Sequence, residues 1–168
     1  MIISTISDAF KKPKINFARI ISHFSFGFLI FFIGLNHNFS IEKDFNLKLG
    51  ETKKIDNYNF ELKDLKLQQY DNYKVVIGKI QISDLSSNKK RTLNPEIRIY
   101  DNPQTLTYEA SIKTNFFRDY YLTMSNIDRS DYYNIKFQEK PLMIWIWISV
   151  VMLSFGGFLS FIRNAKNN

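Results

Sequence analysis

His23 lies where an ionisable side chain is costly, inside residues 20–35 (IISHFSFGFLIFFIGL), a run without formal charge that Arg19 leads in. About 20 apolar residues cross a hydrocarbon core about 30 Å thick, so this run is most of a membrane span. An ionisable group at that depth normally has a partner and marks a functional position. A neutral imidazole there can hydrogen-bond across a helix bundle, join a proton relay, or ligate a metal or haem iron through one ring nitrogen. No carboxylate stands in either apolar run to pass protons on. One histidine cannot make a two-histidine haem site, so ligation would need a second ligand from another chain. The other histidine, His37, lies beyond the run and reads as interfacial.

The element that positions His23 is a helix. A helical period puts Arg19, His23, Gly27, Ile30 and Gly34 on one stripe. Small residues on a membrane helix let a neighbouring backbone approach, so this stripe is expected to face other helices rather than lipid. With Arg19 at the inner interface, His23 sits about 6 Å deeper. Residues 142–162 (LMIWIWISVVMLSFGGFLSFI) form a second uncharged run, with its own small-residue stripe at Ser149, Gly156 and Ser160. The two helices are expected to pack together or against a third party.

The 168 residues therefore divide into a basic segment (1–14), a first transmembrane helix (15–37), an extramembrane domain (38–140), a second transmembrane helix (141–162) and a tail (163–168). No small-residue cleavage site follows the first run, which is expected to be retained. Lys11, Lys12, Lys14 and Arg19 precede the first span, and Arg163 and Lys166 follow the second. By the positive-inside rule both termini then face the cytoplasm or matrix, and Trp145 and Trp147 suit an aromatic belt on the outer side. The net charge of +7 is scattered among acids, which disfavours nucleic acid as a partner. No cysteine is present, so disulfide and thiol chemistry are excluded. Heavy use of Ile, Asn, Lys and Phe points to an A+T-rich coding source such as an organelle genome.

Between the runs the pattern changes to alternation. Residues 57–67, 73–82, 96–100, 107–113 and 132–137 read as strands, with a bulge or a turn near Lys63 and Asp64 where the alternation shifts register. Gly50, Asp71-Asn72, residues 83–90, Asn94-Pro95 and Asn102-Pro103 separate them. Short strands at this spacing predict a small all-β barrel or sandwich between two transmembrane helices. The domain's carboxylates (Glu42, Asp44, Glu61, Asp64, Glu96, Glu109, Asp119) read mostly as solvated surface. A phosphate-binding glycine loop and a nucleophile elbow are both absent from the sequence.

Six segments, taken in order, resemble one family. His23 is followed fifteen positions on by Asn38-Phe39-Ser40-Ile41-Glu42-Lys43-Asp44. Then come TLNPEIRIY at 92–100, TYEASI at 107–112, Arg118-Asp119-Tyr120-Tyr121-Leu122, and Lys140-Pro141 running through Trp145-Ile146-Trp147 to Gly156-Gly157. Together they resemble the C-terminal part of the cytochrome c maturation protein family CcmF, a haem lyase component, over roughly residues 17–163. The family's tryptophan-rich segment, two outer-face histidines and earlier membrane histidine have no counterpart in this sequence. The resemblance therefore implies a split protein of the mitochondrial type, with this chain as the C-terminal subunit.

The resemblance implies that His23 is one axial ligand of a membrane-held b-type haem, the second coming from an N-terminal CcmF-like subunit. It implies further partners: a haem carrier protein and apocytochrome c, to which haem becomes covalently attached. The chain is not expected to be catalytic alone. Arg19, one turn from His23, would contact a haem propionate or else snorkel to the interface. Arg118 and Asp119 are candidates for a partner-binding outer surface or for a turn-stabilising ion pair. The implied location is the mitochondrial inner membrane, with termini in the matrix and the β domain in the intermembrane space; a bacterial inner membrane with a periplasmic domain is the alternative. Ser25 departs from the family, which usually has glycine two positions after the histidine. The rival function is a membrane-anchored β scaffold or assembly chaperone without cofactor.

Overall fold

A computed structural model describes residues 17–167, with side chains as far as Arg163. The basic residues Lys11, Lys12 and Lys14, the expected first two residues of the span at 15–16, and the Lys166 side chain lie outside the described residues. The chain forms two compact units, one of helices and one of strands.

Among the described residues, the helical unit holds 17–40, 116–118 and 140–167. Its helices, α1 (Phe17–Phe39) and α2 (Met143–Asn167), are each long and apolar enough to cross a membrane. They run antiparallel: Phe32 stacks on Trp145 at 5.6 Å, while Ser22, ten residues earlier, meets Gly156. The side of α1 that meets α2 contains Ala18, Ser22, Ser25, Phe32 and Asn36, the heptad spacing of a packed helix pair. Ser25 on α1 and Ser149 on α2 are fully enclosed. Gly156 is required for the approach, because a Cβ there would lie 2.9 Å from the Ser22 backbone nitrogen and 2.5 Å from its Oγ. The Asn36 amide donates to the Pro141 carbonyl, and Leu142, at φ +61°, turns the chain into α2.

The second unit is a β-sandwich (residues 41–115 and 119–139). One sheet has the order β1 (Ile41–Lys48), β10 (Tyr132–Pro141), β9 (Arg118–Asn126), β8 (Ser111–Thr114). The other runs β2 (Thr52–Ile55), β3 (Tyr58–Gln69), β4 (Tyr73–Asp84), β6 (Glu96–Asp101), β7 (Gln104–Glu109), with β5 (Lys90–Leu93) also paired to β4. Period-2 alternation supplies the core: Tyr58, Phe60 and Leu62 from β3, Ile80 and Ile82 from β4, Tyr120, Leu122 and Met124 from β9, and Ile135 and Phe137 from β10. The β3–β4 register shifts between Leu62 and Asp64, so Lys63 is the extra residue of a bulge, and of the two expected outcomes the strand continues through rather than turning.

One expectation fails. Residues 107–113 are two strands in different sheets, β7 and β8, with Ala110 at the crossing. Both are edge strands with mostly exposed side chains, so the alternation there carries little burial signal that could mark the corner. Strands β1, β2, β5 and β9 add to those expected. β1 pairs with β10 through Ile41–Glu139 to Lys48–Tyr132, so the first and last strands of the domain are neighbours.

Candidate functional site

The residues singled out for chemistry fall into both units, and each is best placed by its own element. On α1, His23 is two residues from Ser25, a rotation of about 200°. Ser25 is buried against α2, so the imidazole points away from it and is exposed, together with Arg19, Phe26 and Ile30. Gly34 continues this outward stripe, with open space where a Cβ would stand. The stripe of Arg19, His23, Gly27, Ile30 and Gly34 is therefore not the one that packs on α2. Ser22 and Ser25 take that role because Gly156 lets the backbones approach there. The α2 stripe does contribute Ser149 and Gly156 to the contact.

Ser25 occupies the position where glycine was expected. Its Oγ is buried with no hydrogen-bond partner among the described residues. His37 is exposed near the end of α1, fourteen residues after His23, which is about 21 Å along the helix axis. The two imidazoles cannot meet on one metal. Among the described residues no group of three His, Cys, Asp or Glu side chains could hold a metal ion.

Arg118 and Asp119 open β9 and alternate across it. Arg118 is exposed, whereas Asp119 is 6% exposed and turned inward. Burial raises the Asp119 carboxyl above the usual range, against hydrogen bonds from Tyr121 and Thr114, and its Oδ1 has no hydrogen-bond partner. The dipeptide is thus not a single outward-facing charged pair, and only Arg118 presents a charge to the outside.

Sequence reasoning missed a buried polar group in the sandwich. The Tyr58 hydroxyl donates to the Glu139 carboxylate at 2.5 Å, and burial raises the Tyr58 pKa well above that of an ordinary phenol. Asp84 ends β4 and caps the turn that follows. Burial pushes its carboxyl up, but hydrogen bonds from the Ser86 and Ser87 hydroxyls and backbone amides hold it down at about 2. Arg91 approaches Asp84 at 3.9 Å and lies 4.4 Å over the Tyr120 ring. The D-x-S-S spelling of the turn was a visible signal for this cap.

The profile of the family described as "CcmF C-terminal beta-sandwich" matches residues 38–141, the β domain with its flanks. The chain belongs to this family. It is 27% identical over 151 residues to the cytochrome c-type biogenesis protein CcmF of Haemophilus influenzae, covering 89% of this chain and 23% of that protein. To CcmF of Escherichia coli it is 25% identical over 154 residues, covering 92% and 24%. It is also 34% identical over 73 residues to the mitochondrial protein ymf2 of Marchantia polymorpha, covering 43% of this chain and 23% of that one. A solved structure of "Cytochrome c Heme Lyase CcmF" superposes with a TM-score of 0.61 at 14% identity, over 83% of this chain and 23% of that one, which establishes the shared fold. The chain thus spans about a quarter of the length of the curated relatives it matches.

His23 offers one imidazole on a helix face that α2 leaves uncovered, with the Arg19 cation one turn away. His37, the other histidine, lies about 21 Å further along the helix axis.

Proposed function

We propose that this chain works in cytochrome c maturation as a subunit of a membrane haem lyase assembly, and that His23 supplies one axial ligand to a b-type haem shared with a second, N-terminal CcmF-like chain. The outward orientation of His23, away from α2, carries this reading: the imidazole faces the side on which another helix can dock. Such a haem would supply one-electron redox chemistry. The chain's own contribution is to fix the imidazole on a rigid helix and to place the Arg19 guanidinium one turn away, within range of a propionate. On this reading it acts with three partners: the N-terminal chain, a haem carrier and apocytochrome c. Arg118 is the charged group we assign to partner contact on the sandwich side.

On this reading α1 and α2 span the mitochondrial inner membrane, with the termini in the matrix and the sandwich in the intermembrane space. The basic flanks support the orientation, and the likeness to ymf2 with the A+T-rich composition supports the organelle.

The test is to purify the chain with its membrane partners and record the visible spectrum of wild type and His23→Ala. The wild-type complex is expected to show a low-spin bis-imidazole spectrum that the variant loses while the complex stays assembled. An unchanged spectrum in the variant overturns the ligand assignment. A wild-type complex free of haem favours a scaffold without cofactor.

A further inference from the structure

The turn between β8 and β9 carries two adjacent phenylalanines, Phe116 and Phe117, that lie outside the sandwich core and are 51% and 63% exposed. This turn belongs to the helical unit. The Phe117 carbonyl accepts a hydrogen bond from the Leu142 amide at 2.8 Å, at the residue that turns the chain into α2. The Phe116 ring packs edge-on against Trp145 at 5.0 Å and against Phe117 at 5.4 Å, and Trp145 stacks on Phe32 of α1. The turn is thereby fixed beside the first turn of α2. Arg118 follows it directly, and Lys140 stands just before the α2 entry.

We propose that the Phe116–Phe117 turn is a third membrane contact of this chain, inserted at the boundary between headgroups and acyl chains on the outer face of the bilayer. This rests on the reading of α2 as a membrane span. The occupant of the exposed rings is lipid because the apolar run of α2 begins at Leu142, and Phe116 is held against Trp145, one turn into that run. A ring at that level meets the bilayer boundary wherever α2 crosses it. The composition agrees, since aromatic residues favour the interface. The contact would fix the tilt and depth of α2, and with it the α1 helix that carries His23.

The chain has no cysteine, so a single nitroxide can be placed at will. The full chain with Phe117→Cys is labelled in vesicles of phosphatidylcholine and cardiolipin, and its collisions with oxygen and with a water-soluble nickel chelate are compared. Val151→Cys, on the exposed side of α2, gives the in-membrane reference, and Ser87→Cys, in an exposed turn of the sandwich, the aqueous one. The Phe117→Cys label is expected about 5–10 Å into the headgroup–acyl boundary, between the two references. A reading equal to that of Ser87→Cys overturns the inference, and so does low access to both agents in the partner complex, which would mean a protein cover. Failure of Val151→Cys to enter the bilayer would instead overturn the membrane reading itself. If Phe117→Cys loses the sandwich's circular dichroism, Asn115→Cys takes its place, with a shallower depth expected and the aqueous reading again decisive against.

Discussion

Phe60 and Phe31 are the same side chain in two different solvents. Phe60 is sealed in the sandwich at 0% exposure, with Phe45 and Phe137 against its ring, while Phe31 on α1 is 55% exposed. The sandwich excludes water with its own apolar core. The helix pair buries alanine, serine and glycine at its contact and turns phenylalanine, isoleucine and valine outward. In water that arrangement would be inside out; in lipid it is the stable one, since apolar tails give no drive to bury apolar side chains and association rests on close backbone packing. One unit therefore carries its stability within an apolar core, and the other relies on close packing of its two helices in an apolar surrounding. His23 lies on the outward side of α1.

Truncation of the core should separate the two units most sharply. Phe60→Ala is expected to destabilise the sandwich by about 3–5 kcal/mol through lost burial and a cavity. Denaturant titration of the full chain in mild detergent, followed by near-ultraviolet circular dichroism, measures this. An effect below the noise would mean that the sandwich core is not the stabilising element described. Gly156→Val should act on the other unit, by about 1–3 kcal/mol, since its side chain would collide with the Ser22 backbone. Pulsed electron resonance between labels at Phe26→Cys and Val151→Cys is expected to report a wider helix separation, with the sandwich's denaturation midpoint unchanged. A shift of that midpoint equal to the change in the helices would break the distinction.

The smallest effect concerns Asp84. Its carboxyl sits at about 2 in the folded protein, below the ordinary aspartate value of about 3.9, so it contributes stability that is present above about pH 4 and is lost as pH falls toward 2. Ser86→Ala combined with Ser87→Ala removes the two hydroxyl donors and should cost about 1–2 kcal/mol at neutral pH, much less at pH 2. Equal losses at both pH values would show that the serines act through the turn's shape alone. Asp119 has the opposite sign: burial raises its pKa, so ionising it as pH climbs works against the fold.

Much of this architecture was legible in the sequence. Two uncharged runs, alternating strands between them and the register change at Lys63 follow from side-chain period and burial, and these are properties of short windows. The corner at Ala110 was not, because exposed edge strands write no burial pattern. Strands β1 and β2 were missed for the related reason that they carry alternating charge with few large apolar residues. The site was legible as a residue and not as an orientation. His23 was conspicuous at once, but its stripe and the Ser22–Ser25 side both carry small residues. Only Gly156, from a helix over a hundred residues away in the chain, decides which of them α2 covers.

The pairing of Ile41 with Glu139 has a consequence for the helices. Neighbouring strands hold their Cα atoms about 5 Å apart. A folded sandwich therefore brings the two chain ends that lead into α1 and α2 together as closely as a tight turn would. An unfolded connector of about a hundred residues would have to be closed at an entropic cost on the order of 4 kcal/mol before the helices could meet. The sandwich removes that cost once it folds. Replaced by a short hairpin linker across Ser40 and Lys140, it should leave a pair of helices that still associate.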